Sequence, residues 1–155
     1  MMCWDEDPSP ALTAVFGEIA RTRMAGLPIC NPVLMVEAVG FRRTAEGHWA
    51  GVMVTPWAIN LLCLPGNANW PALPACSTHE WRFPSGDYEF TVADEASLGN
   101  YHLCSLFSPA MEFESHEAAR LFALAAVEGL FRAPIEAVEP AARPQGRRAF
   151  LGLRG

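Results

Sequence analysis

Lysine is absent from this 155-residue chain: all eleven basic residues are arginine. Nothing physical forbids a surface lysine, so the gap reads as nucleotide-composition bias in the source genome. The compact signatures of familiar chemistry are missing as well. No cluster of glycines precedes a helix, so no phosphate-cradling loop is expected. There is no Gly-x-Ser-x-Gly elbow for a serine nucleophile. Neither His-Glu-x-x-His nor a paired Cys-x-x-Cys occurs, which removes the strong zinc and iron–sulfur patterns. The longest apolar stretch, Val52 to Leu64, contains Pro56 and Asn60 and is too short to span a bilayer. No membrane insertion is expected.

What is present is rich in core-forming residues. Half of the chain is hydrophobic, and five residues are tryptophan. A chain of this size buries roughly 68–70% of its unfolded surface and needs no metal or disulfide to fold. Net charge is −6, unevenly distributed. All seventeen acids lie at or before Glu139, against seven arginines, a balance of −10. Arg143, Arg147, Arg148 and Arg154 follow without an acid. An acidic body lacks the basic stripe that nucleic acid requires, so no nucleic-acid partner is expected. It suits a basic partner segment instead. The five cysteines are odd in number and widely spaced, and the chain opens Met-Met-Cys-Trp followed by three acids. That is the reverse of a signal peptide, so reduced thiols in a cytoplasmic protein are expected.

The pattern of residues predicts an α+β fold: an antiparallel meander of five or six strands flanked by an N-terminal and a C-terminal helix. Residues 9–26 read as the first helix, with Ser9 as N-cap and Leu12, Val15, Phe16, Ile19 and Met24 as its apolar stripe. Val33–Arg42 and His48–Thr55 read as a hairpin, and Ile59–Leu64 as a strand apolar on both faces. Residues 65–78, with Pro65, Pro71 and Pro74, read as an ordered loop. Glu80–Phe83 and Tyr88–Val92 alternate around the Pro84-Ser85-Gly86-Asp87 turn, and Tyr101–Phe107 adds a further strand. Ser115 caps a helix over 116–132 with apolar residues on two faces: Ala118, Leu121, Phe122 and Ala125, then Leu124, Val127 and Phe131. Short connections make the strands antiparallel, and two helices on one face of the meander is the simplest architecture that buries the apolar sets. Residues 1–135 form one domain; 136–155 form a Pro-containing linker and basic tail. The two-faced helix, or an uncovered edge strand, is compatible with a homodimer.

Candidate sites are few. Glu112, Glu114 and Glu117 suit a helix start better than an acid/base pair. Cys76-x-x-His79 with His102-x-Cys104 is an alternative metal set, because residues i and i+2 on a strand share a face. Packed thiols and surface or core histidines explain those four better than a metal does, and no cofactor is expected. Thr55-Pro56-Trp57 with the Pro-rich loop carrying Trp70 reads as a rigid aromatic ledge, of the kind that supplies interface hot spots. Both tryptophans also suit the role of capping the sheet core.

Five blocks then occur in order: Thr55-Pro56-Trp57 with Leu64-Pro65-Gly66 and Trp70-Pro71; Phe83-Pro84-x-Gly86 with Phe90-Thr91-Val92; Tyr101-x-x-Cys104-Ser105-Leu106-Phe107-Ser108-Pro109; Gly146-Arg147-Arg148-Ala149-Phe150-Leu151; and the early Phe16-x-Glu18-Ile19-Ala20-Arg21. Together they resemble the HybE/HupJ family of [NiFe]-hydrogenase accessory proteins over about residues 12–151. The resemblance implies a non-enzymatic chaperone that attends a hydrogenase subunit before export by the twin-arginine route. The favoured client is the iron–sulfur small subunit precursor with its signal peptide, and other maturation proteins are further candidates. Thr55, Pro56, Trp57, Pro65, Gly66, Trp70, Pro71, Arg147, Arg148 and Phe150 are the candidate partner-binding residues. A thiol or metal protein that protects the small subunit's iron–sulfur clusters is the alternative. Rubredoxin-type electron transfer, found in some family members, does not carry over without paired Cys-x-x-Cys.

Overall fold

Two neighbouring strands with almost no polar face organise the chain. The computed structural model describes residues 2–134, so the 136–155 linker and the tail residues Arg147, Arg148 and Phe150 lie outside the described residues. The elements are α1 (Ser9–Arg21), β1 (Glu37–Arg43), β2 (Trp49–Val54), β3 (Ile59–Leu64), β4 (Thr78–Phe83), β5 (Gly86–Glu95), β6 (Gly99–Phe107) and α2 (His116–Leu130). Every residue of β2 is buried, and in β3 only Asn60 is not. Strands of that kind need cover on both sides. The α+β class with a six-stranded antiparallel sheet is as the sequence predicts.

The helices do not share a face. Leu12 of α1 packs with Trp49, Met53, Leu62, Leu64 and Tyr101 on one side of the sheet. On the other side Ala119, Ala123, Val127 and Leu130 of α2 pack on Ala50, Val52, Val54, Ile59 and Leu61. Alternation along β2 and β3 sends successive side chains to the two clusters, and each cluster needs its own helix. α2 presents a stripe of alanines, so it approaches the sheet closely. Of its two apolar faces only one is covered: Leu121 and Leu124 are exposed, so the helix is not sandwiched within the core.

The strand order is β1-β2-β3-β6-β5-β4. It consists of two three-stranded meanders joined where β3 pairs with β6. Residues 65–77 carry the chain from the middle of the sheet to its edge. The sheet also curls. His48, just before β2, has its ring 5.5 Å from that of Trp81 in β4. In a flat sheet four strand spacings, ~19 Å, would separate them. Curling encloses the loop bearing Trp70 against the α2 side.

Local ends differ from expectation for identifiable reasons. The expected Ser9 cap is not observed: Ser9 is the first helical residue, Pro8 holds the N-cap position without a side-chain cap, and Asp7 Oδ1 accepts from the Ser9 N–H at 2.9 Å and the Ser9 hydroxyl at 2.6 Å. α1 stops at Arg21, because Thr22 leaves helical dihedrals while its hydroxyl donates to the Glu18 carbonyl at 2.7 Å. β1 begins at Glu37 and not Val33, because Asn31 pins the preceding segment elsewhere. Its Nδ2 donates to the Ala110 and Phe113 carbonyls, both at 3.0 Å. Ser115 caps α2 as expected, its Oγ accepting from the Ala118 N–H at 3.1 Å.

Gly66 is required by close approach. A Cβ there would collide with the Gly47 carbonyl oxygen of the β1–β2 hairpin and crowd the Arg43 guanidinium. Gly66→Ala is therefore expected to destabilise by roughly 2 kcal/mol, as overpacking does. The check is a lowered urea midpoint with unchanged slope.

Candidate functional site

The sequence-predicted partner residues fall at opposite ends of β2 and β3. Thr55, Pro56 and Trp57 close the β2–β3 hairpin at one end. Pro65, Gly66, Trp70 and Pro71 follow β3 at the other. Six-residue strands separate the two groups by roughly 17–20 Å. The expected ledge of Trp57 and Trp70 does not form.

At the second end, aromatic and imidazole rings pack together. Trp70 is buried, and its Nε1 donates to Asn100 Oδ1 at 2.8 Å. Asn100 in turn donates to the Leu73 carbonyl at 3.0 Å, which ties the loop to β6. Trp70 stacks on Trp81 at 5.3 Å and lies 4.3 Å from the His102 ring. Trp81 Nε1 donates to His102 Nδ1 at 2.9 Å. That bond makes Nδ1 the acceptor and leaves the ring proton on Nε2, which is buried without a partner among the described residues. His48 joins from the hairpin, its Nδ1 accepting from the Gly66 N–H at 3.0 Å. Leu64-Pro65-Gly66 and Trp70-Pro71 thus build a rigid end to the core, and Trp70 takes the core-capping role.

The four residues of the alternative metal set do not converge. His79 and His102 come together, ring centroids 5.6 Å apart, but Cys76 is exposed. Among the described residues no group of three or more His, Cys, Asp or Glu is placed to hold a metal ion. Burial pushes the Cys63 and Cys104 thiols up, with Glu46 and Glu89 respectively adding to it. Both are held away from the thiolate form that binds metals. Burial also lowers His102 to about 4, assisted by His79 and His48, and lowers His48 against the pull of Glu46.

The first end opens to solvent. Thr55 Oγ1 donates to the Ala58 carbonyl at 2.8 Å and accepts from the Ala58 N–H at 3.1 Å, setting the turn. The Pro56 carbonyl accepts from Asn31 N–H at 2.8 Å, which brings the 27–34 segment alongside. Trp57, half-buried, therefore lines a groove with Ala20, Met24, Leu27, Cys30 and Leu34. Sequence reasoning found Pro56 and Trp57 but missed the rest of this groove. The pattern places Met24 in the first helix and Leu34 in a strand. The available signal was the Pro28-Ile29-Cys30-Asn31-Pro32 run, which is apolar without either regular period.

The imidazole cluster makes a pH prediction. His102 and His48 are neutral in the fold, whereas in the unfolded chain they take up protons near the ordinary value of 6.5. Their contribution is therefore complete above that value and is lost as pH falls from it toward about 4. The thermal midpoint is expected to drop between about pH 7 and pH 5. His102→Leu should be less stable at neutral pH, because it strands the Trp81 N–H, yet show a shallower decline on acidification. An equally steep decline in a folded His102→Leu variant would remove this assignment.

Comparison with known proteins agrees with the earlier resemblance. The family model described as "[NiFe]-hydrogenase assembly, chaperone, HybE" matches residues 7–153. The hydrogenase expression/formation protein HupJ of Bradyrhizobium diazoefficiens is 41% identical over 145 residues, covering 90% of this chain and 84% of that protein. Protein HoxT of Cupriavidus necator is 38% identical over 152 residues, covering 90% and 85%. The solution structure of HybE from Escherichia coli superposes with a TM-score of 0.69 at 27% identity, over 94% of this chain and 91% of that one. The chain belongs to the HybE family of [NiFe]-hydrogenase assembly chaperones.

Proposed function

We propose that the protein is a non-enzymatic cytoplasmic chaperone that holds a hydrogenase subunit precursor before assembly. The favoured client is the iron–sulfur small subunit with its twin-arginine signal peptide. One observation carries the client choice: an acidic body bears large apolar side chains in water. Leu27, Ile29, Val33, Met35 and Met111 are all at least 41% exposed. A surface that is both negative and apolar suits a segment that is both basic and apolar. The non-enzymatic reading is supported by where the perturbed groups lie. His102 and Cys63 are fully buried in the core, and His102 Nδ1 is held by Trp81. The thiol/metal alternative has less support, because the buried thiols are held in their protonated form.

Co-purification tests the client. The full chain is expected to retain the small-subunit precursor at low salt and to release it as salt screens the contact. The mature small subunit and the large subunit should be retained poorly. No association with any hydrogenase subunit at low salt would remove the proposal. Stoichiometric iron or zinc in protein purified without air would favour the alternative.

A further inference from the structure

The groove beside Trp57 has properties that specify an occupant. Its volume is about 360 Å³, and its walls are mostly apolar, with Met24, Leu27 and Trp57 among them. A flexible methionine beside a rigid tryptophan suits side chains of varied shape. The apolar surface continues beyond the groove. Ile29, Val33 and Met35 are 47%, 43% and 59% exposed on the adjoining segment. Asn31 bonds the Ala110 and Phe113 carbonyls, so Met111, 50% exposed, stands alongside. Four partly exposed large side chains beside a concave apolar wall exceed the scattered exposure usual on a monomer.

The charges at the margins are one-sided. On the α1 side, Arg21 and Arg23 are each engaged at 3.0 Å, by Glu18 and Glu95. On the other side Glu112 and Glu114 flank Phe113. Both are exposed, and neither has an ion pair or hydrogen bond among the described residues. Arg120 and His116, beside Met35, are likewise paired with Glu37 and Glu117, so these cations each have a carboxylate partner, whereas Glu112 and Glu114 have no cationic one among the described residues.

We propose that this groove and the adjoining 27–35 and 111–114 surface form a docking site for an extended peptide in which cationic residues adjoin an uninterrupted apolar run. The apolar run lies in the groove against Trp57, Met24 and Leu27, and the cationic end sits over Glu112 and Glu114. This rests on the reading that the client is a precursor with a basic-apolar leader. It assigns the contact to residues 24–35, 57 and 111–114 and leaves Trp70 as support for the core.

The test uses the full chain and synthetic peptides read by fluorescence anisotropy. One probe carries two arginines followed by a leucine-alanine run. A second has glutamates for the arginines, a third has serines for the leucines, and a fourth copies residues 143–155 of this chain. The first probe is expected to bind, the second and third poorly. Ile29→Gln with Met35→Gln should weaken the first probe by about tenfold or more, since each removes apolar contact. Glu112→Arg with Glu114→Arg should weaken it and abolish its salt dependence. Leu121→Gln, at an exposed site on α2, should change nothing. All three variants alter exposed side chains and are expected to keep the parent thermal midpoint.

Equal binding of the first probe to the parent and both groove variants overturns the proposal. So does uptake of the fourth probe alone, which would make the chain's own basic end the occupant. A concentration-dependent dimer lost only in the Ile29/Met35 variant would overturn it in favour of a second copy. The outcomes separate from those of the client reading. A groove variant that still co-purifies with the precursor removes the groove and leaves the client. A parent chain that binds the first probe but no hydrogenase subunit removes the client and leaves the groove.

Discussion

The double-sided burial of β2 and β3 is the constraint on which the rest depends. A strand with one polar face needs one covering layer, whereas a strand with none needs two. Both helices are consumed in meeting that need, α1 on Leu62 and Leu64, α2 on Leu61 and Val52. The curl of the sheet follows the same logic. Bringing β4 round toward the β1–β2 hairpin lets Trp81 and Phe83 close the core at the C-terminal end of α2, where the Phe83 ring lies 5.8 Å from that of Phe131.

That arrangement decides which parts of the chain are left in water. The loop after β3 is drawn inward, with Trp70 locked between Trp81, His102 and Asn100. The segment from α1 to β1 is not. It runs over the surface, held by Asn31 to Pro56, Ala110 and Phe113; Leu34 alone of residues 27–35 puts an apolar side chain into the core, while Leu27, Ile29, Val33 and Met35 stay exposed. In a chaperone this division is physically reasonable. The core must be specified tightly, while the client surface needs apolar area that stays available.

Much of the fold was legible in the chain. The alternation Trp81, Phe83, Tyr88, Phe90 and Val92 marked β4 and β5, and Ser115 marked the start of α2. The both-faces apolarity of Ile59–Leu64 was visible too, although its consequence, a helix on each side, was not drawn. Other features were not readable. Ser9 and Asp7 both have cap-forming side chains, yet Pro8 takes the N-cap position and the Asp7 carboxylate binds Ser9 instead. His79 and His102 meet, but Cys76 does not join them, because its place is set by the loop that carries it to β4. The aromatic ledge failed for a similar reason. Trp57 and Trp70 stand on either side of β3 in sequence, and the length of the strand carries them apart.

The sequence by itself determined the class of fold, most strand and helix positions, the absence of the compact catalytic motifs, and the family. Those properties follow from local periods, turn residues and short ordered blocks, which survive being read one segment at a time. The tertiary structure alone decided the strand order, the split of the helices between two faces, the burial of Trp70 and the exposure of residues 27–35. Each of these depends on competition among apolar segments for a limited interior. Trp70 and the 27–35 segment are comparably apolar, and only the packing of the whole chain settles which is covered and which is left to water.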